Sequence, residues 1–128
     1  MVRKILIVDD SPISRKMLKS CLPKDDGSEI HEAGDGRAGL EKFKEIAPDI
    51  TFLDLTMPVM DGAQALEEMK KHSPHAVIVV ATADIQVKSI EKVMGLGAFL
   101  VLKKPPTRES VADALARADE FRGKRHGD

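Results

Sequence analysis

Aromatic side chains are scarce, with no tryptophan, no tyrosine and four phenylalanines among 128 residues. Without Trp or Tyr there is no stacking platform of the kind that holds single-stranded nucleic acid. Cysteine is nearly absent too. The lone Cys21 has no partner for an internal disulfide, so a reducing compartment, the cytoplasm, is expected. Neither sign of charge is in excess: 20 Lys and Arg face 21 Asp and Glu, a formal net charge of −1. No basic tract draws the chain to nucleic acid or to an anionic membrane surface. Long apolar runs are missing as well. Met1-Val2-Arg3-Lys4-Ile5-Leu6-Ile7-Val8 starts like a secretory signal, but its apolar part stops at two acids, short of the roughly 7–15 residues of a signal core. Nothing approaches the ~20 apolar residues of a membrane helix. Neither nucleic acid nor membrane is therefore an expected partner. The length fits one domain, enough to bury somewhat over ~60% of the unfolded surface.

Short apolar runs alternate with amphipathic segments along the whole chain. Ile5 to Val8 reads as a buried strand. Ser11-Pro12 starts a helix, Ser as N-cap and Pro at the first helical position. Ile13, Met17 and Cys21 follow on one face, expected to pack inward. Pro23 to Ser28 is a loop and Glu29 to Ala33 a second strand. Asp35-Gly36 turns into a helix carrying Ala38, Leu40, Phe43 and Ala47, ended by Pro48-Asp49. Ile50 to Leu53 is a third strand, ending at Asp54. Pro58 and Asp61-Gly62 mark a loop before a helix with Ala65, Leu66 and Met69, which ends before Pro74. Ala76 to Ala81 is a strand ending at Thr82. A helix covers Ile85 to Met94, with Gly95 and Gly97 at its end. Ala98 to Leu102 is the fifth strand, and the last helix runs from Thr107 to Phe121. The domain spans 1–122, and 123–128 form a polar tail that is expected to fray.

Strands alternating with helices predict a parallel sheet between two helical layers, a doubly wound α/β sandwich. Such sheets bind ligands at the carboxyl ends of their strands. Those ends carry Asp9-Asp10, Asp54, Thr82 and Lys104. Adjacent carboxylates repel, by about 4 kcal/mol at 4 Å near a protein surface. They are either splayed into solvent or hold a metal. Each residue has a plainer role open to it. Asp10 favours a helix N-terminus, Asp54 suits a loop, Thr82 suits a cap, and Lys103-Lys104 suits a solvated pair before a prolyl turn. Together they make one site of hard oxygens, a hydroxyl and an ammonium. That set suits Mg²⁺ and phosphoryl transfer to a carboxylate.

Ile7-Val8-Asp9-Asp10-Ser11, Leu53-Asp54-Leu55-Thr56-Met57-Pro58-Val59-Met60-Asp61-Gly62, Ala81-Thr82-Ala83 and Lys104-Pro105 occur in this order. In this order and spacing the chain, from about residue 3 to 121, resembles the receiver domain of bacterial two-component response regulators. The resemblance implies a flavodoxin-like (CheY-like) five-stranded sheet in the order 2-1-3-4-5. It implies that Asp54 accepts a phosphoryl group from a histidine kinase or from a small donor such as acetyl phosphate. Asp10, Asp54 and the Thr56 carbonyl would ligate Mg²⁺, or Mn²⁺ in its place, with Asp9 acting through water. Lys104 and Thr82 would stabilise the phosphoryl group, and the bond to Pro105 would be cis. Thr82 would move on phosphorylation, and a target would read the fourth helix, fifth strand and fifth helix. At the position of the family's switching aromatic stands Val101, which has no ring to turn. Thr56 and Asp84 fall at positions that tune the lifetime of the acyl phosphate.

No DNA-binding or output segment follows in this sequence, so a stand-alone, chemotaxis-type receiver is expected, monomeric or dimerising on phosphorylation, with a phosphatase as a further partner. A phosphorelay shuttle, a receiver cut from a longer regulator and a phosphorylation-independent binding module are the alternatives within the fold. A flavin protein would need a Ser/Thr/Gly-rich phosphate loop where Asp9-Asp10 stands. A haloacid-dehalogenase-type phosphatase would need an acid at Thr56.

Overall fold

The computed structural model describes residues 3–24, 27–57 and 59–125. Met1, Val2, two residues of the Pro23–Ser28 loop, Pro58 and the last three residues of the polar tail lie outside them. The chain runs β1 (Lys4–Val8), α1 (Pro12–Cys21), β2 (Glu29–Ala33), α2 (Gly36–Ile46), β3 (Ile50–Asp54), α3 (Gly62–His72), β4 (Ile78–Thr82), α4 (Val87–Gly95), β5 (Leu100–Lys103) and α5 (Arg108–Arg125). All strand pairs are parallel, in the order β2-β1-β3-β4-β5. This is the flavodoxin-like sandwich.

Central strands buried on both faces need apolar residues at every position, and β1, β3 and β4 have nearly that. On one face Ile5, Ile7, Phe52 and Val79 meet Leu18 of α1 and Val111 of α5. On the other, Leu6, Leu53 and Val80 meet Phe43 of α2, Leu66 of α3 and Val93 of α4. Four helices start at side-chain caps. Ser11 accepts from the Ser14 N–H at 3.2 Å and Asp35 from that of Ala38 at 2.8 Å. Asp61 and Gln64 bond reciprocally at 2.9 and 3.4 Å, and Thr107 and Ser110 both at 3.0 Å. Each such cap stabilises its helix by about 1 kcal/mol.

The α1 face differs from expectation. Ile13 and Met17 are 74% and 44% exposed, and Leu18 and Leu22 pack inward. The buried stripe runs through Leu18 and Leu22, and Arg15 reaches back to the Asp9 carbonyl, which leaves Ile13 and Met17 on the outer side. Cys21 lies half-buried against the core, its thiol 3.7 Å from the Pro106 carbonyl. On α2, Ala38 is exposed and the inner positions are Gly36, Gly39 and Phe43. Gly39 is required there, because a Cβ would lie 2.6 Å from Val8 Cγ1. β4 starts two residues later than its apolar run, and α4 begins at Val87. α5 continues to Arg125, past Phe121 and into the first residues of the expected tail. Among the described residues no helix is long and apolar enough to cross a membrane.

Candidate functional site

Register builds the site. Val8 lies opposite Leu53, so Asp9, one residue on, is level with Asp54 at the end of β3. Asp54 in turn is opposite Ala81, and Thr82 opposite Lys103. The strand-end residues therefore converge at one sheet edge.

The two adjacent acids separate. Asp9 is buried, its Oδ1 accepting the Ser11 N–H at 2.9 Å, while Asp10 is exposed. The resolution of their repulsion is neither solvent alone nor a neighbour in sequence. Lys104 Nζ donates to Asp9 Oδ2 at 2.8 Å and to Asp54 Oδ1 at 2.9 Å. Its contact with Asp9 is one the sequence did not announce. Lys104 is held in place by its own N–H, 2.9 Å from the Thr82 carbonyl, and precedes a cis peptide to Pro105. Asp9, Asp10 and Asp54 each bring a carboxylate oxygen within 4.8 Å of the others.

Electrostatics follow from this half-closed geometry. Burial pushes the Asp54 carboxyl above its ordinary value, against the hydrogen bond and charge of Lys104, and the Asp9 charge pushes the same way as burial. Burial would lower Lys104, but its hydrogen bonds to Asp9 and Asp54 and their charges outweigh it and raise it. Lys104 is therefore an ammonium at neutral pH.

Three supporting roles escaped the sequence reading, which placed Asp84 only among the lifetime-tuning positions and Gly62 only in a loop motif. Arg15 donates to the Asp9 carbonyl at 2.6 Å and to Glu32 at 2.9 Å, pinning the end of β1. The Lys19 ammonium, and the Arg15 guanidinium with it, hold the Glu32 carboxyl below its usual value. Gly62 lets α3 start against the backbone after Asp54, since a Cβ there would overlap the Asp54 carbonyl. Asp84 accepts from the Gln86 N–H at 3.1 Å and the Ser89 hydroxyl at 2.6 Å, and its own N–H donates to Thr82 Oγ1 at 3.0 Å. Thr82 thus caps the turn after β4, and the N-cap position of α4 belongs to Gln86. An Arg six residues after Asp9 and a Ser five after Asp84 were the available signals, and neither is distinctive alone.

A cleft of about 370 Å³ is lined by Asp9, Asp10, Asp54, Thr56, Thr82, Asp84 and Lys104. Val101 is not part of that lining. It is half-buried opposite Val80, in the layer of α3 and α4. Thr56 is exposed at the cleft edge. Val59, in the same loop, is 72% exposed with φ of 69°, a strained conformation for a β-branched residue.

Comparison with known proteins agrees with this geometry. Residues 5–116 match the response regulator receiver domain. The chain is 37% identical over 120 residues to the chemotaxis protein CheY of Thermotoga maritima, covering 94% of this chain and 100% of that one. It superposes on Vibrio cholerae chemotaxis protein CheY4 with a TM-score of 0.83 at 30% identity, covering 92% of this chain and 99% of that one. A CheX-CheY-BeF3-Mg²⁺ complex from Borrelia burgdorferi gives a TM-score of 0.84 at 28% identity, covering 91% and 88%.

Proposed function

Since the chain belongs to the response regulator receiver domain family of two-component signalling, we propose that Asp54 accepts a phosphoryl group from the phosphohistidine of a histidine kinase. The modified protein then binds a partner, in chemotaxis-type signalling. The observation that carries this reading is the Lys104 ammonium held between Asp9 and Asp54, in an open cleft with Asp10 as a third acid.

The donor set fits Mg²⁺. Four carboxylates, Asp84 among them, line the cleft against one ammonium and leave it short of positive charge, and all the donors are hard oxygens. Asp10, Asp54 and the Thr56 carbonyl would hold the ion directly and Asp9 through water. Bound there, it would neutralise charge on the transferring phosphoryl oxygens. An Asp54 oxygen attacks phosphorus in line. An O–P bond forms as the donor's P–N bond breaks, and the imidazole nitrogen keeps the electron pair. Lys104 holds Asp54 beforehand and pairs with the phosphoryl oxygens afterwards. Thr82 Oγ1 accepts from Asp84, so its hydroxyl proton is free to be donated to them. Ile13 and Met17, exposed on α1, give the kinase an apolar contact. The exposed Val87 and Met94 of α4 give the downstream target one, on the face of α4, β5 and α5.

Intact mass after incubation with acetyl phosphate and Mg²⁺ tests the reading. One alkali-labile phosphoryl adduct is expected, absent from Asp54→Asn and from a chelated sample. An adduct that persists in Asp54→Asn places the acceptor elsewhere. No adduct from acetyl phosphate or from any histidine kinase leaves a phosphorylation-independent binding module.

A further inference from the structure

We propose that Asp84 and Ser89 form a latch that holds the first turn of α4 while Asp54 is unmodified and releases it when Asp54 carries a phosphoryl group. The proposal deepens the phosphoacceptor reading above and rests on it.

α4 is loosely anchored. Among its described residues Val93 alone is buried, and its N-cap, Gln86, makes no side-chain hydrogen bond. Its N-terminus is held instead by a chain of hydrogen bonds that begins in the acidic cleft. Thr82 Oγ1 accepts the Asp84 N–H at 3.0 Å. Asp84 Oδ1 accepts the Gln86 N–H at 3.1 Å, and its Oδ2 accepts the Ser89 hydroxyl at 2.6 Å. The last of these is short, as a bond to an anionic acceptor should be. The Ser89 hydroxyl and the Gln86 N–H together hold the Asp84 carboxyl below its ordinary value.

Asp84 and Thr82 share the cleft with Asp54. A phosphoryl group on Asp54 adds negative charge and strong acceptor oxygens at that spot. The charge repels the Asp84 carboxylate. The oxygens draw the Thr82 hydroxyl, whose oxygen anchors the Asp84 N–H. Both effects act on the same residue, and together they strain its bond to Ser89. The first turn of α4 then loses its side-chain tether, while Val93 still packs against the sheet. Val101, adjacent in the same core layer, has no ring with which to carry the signal. The latch supplies a route that does not need one.

Ser89→Ala removes the donor hydroxyl without touching the acid cleft. The test is hydrogen–deuterium exchange of the α4 amides, read with intact mass on the same samples, with and without acetyl phosphate and Mg²⁺. In unmodified Ser89→Ala the first turn should exchange about tenfold faster than wild type, the effect of losing one charge-assisted hydrogen bond. Wild type should rise to a similar rate once the adduct forms, and Ser89→Thr, which keeps the hydroxyl, should restore slow exchange. Wild-type exchange in unmodified Ser89→Ala overturns the latch. An adduct-bearing wild type whose α4 exchange does not rise overturns it equally. Failure of the phosphoacceptor reading is seen separately, as a wild-type mass spectrum without an adduct, and it removes the trigger.

Discussion

Lys104→Met keeps the apolar stem of the side chain and deletes its charge, and it isolates what the ammonium does for the native state. It bridges Asp9 and Asp54, each of which brings a carboxylate oxygen within 4.8 Å of the other. At an effective dielectric of about 20, two like charges at that separation repel by about 3.5 kcal/mol. Lys104 is 22% exposed and the cleft is open, so water screens part of this. The expected loss of stability is about 2–3 kcal/mol near neutral pH without divalent ions.

The pH dependence fixes the cause. Asp54 already has its folded pKa above 3.8, because burial outweighs the pull of Lys104. An acid raised on folding penalises the native state fully above its folded pKa, and the penalty disappears as pH falls below the unfolded value. Removing Lys104 raises Asp54 further. The deficit of the variant should therefore be largest around pH 8 and shrink steadily toward about pH 4. Lys104 itself adds no slope in that window. Its folded pKa is raised above 10.5, so its own contribution is complete at every pH below that. Urea denaturation followed by circular dichroism across this range measures the deficit directly. Added Mg²⁺ should recover more stability in the variant than in wild type, since a dication then meets uncompensated carboxylates. A deficit that is the same at every pH, or absent, would refute the charge argument and reduce Lys104 to a packing role.

Thr51→Val should stabilise the protein by about 1 kcal/mol in urea denaturation, because Thr51 Oγ1 is buried without a hydrogen-bond partner among the described residues. Val59→Gly should add about 1 kcal/mol by relieving the left-handed backbone, with no packing lost at a side chain 72% exposed. Arg15→Ala should weaken Mg²⁺ binding about tenfold by calorimetry, since the guanidinium pins the Asp9 carbonyl. Unchanged affinity would make Arg15 a surface tie only.

The topology was legible because its signals are local. Each central strand is a short apolar run, and Ser11-Pro12 and Asp61 with Gln64 mark helix starts in the sequence itself. Helix faces were less legible where a polar residue points inward. Ile13, Met17 and Cys21 have the spacing of a buried stripe, yet Arg15 turns toward the sheet edge and leaves Ile13 and Met17 in solvent. Periodicity counts apolar residues and misses an inward guanidinium. Gly36 and Gly39 were missed as inward positions for the opposite reason, since a close backbone approach leaves no apolar mark on the sequence.

The site was legible in kind before it was legible in wiring. Two adjacent acids raise a question of charge that only a distant residue answers. Lys104 stands 95 positions from Asp9 and 50 from Asp54, and only the parallel register brings it to both. Strand-end position was sufficient to gather the acids, the threonine and the lysine, because every strand of a parallel sheet points the same way. It was not sufficient to say which acid the lysine would meet, since β5 pairs only with β4 and the lysine side chain must reach past the end of β4 to Asp54 and Asp9. Asp84 makes the same point at shorter range. Its importance lies in joining Thr82 to Ser89, and the turn that closes this five-residue gap is set by where β4 ends and where α4 can begin. Residue chemistry therefore located the site, while the distances between its groups belong to the fold.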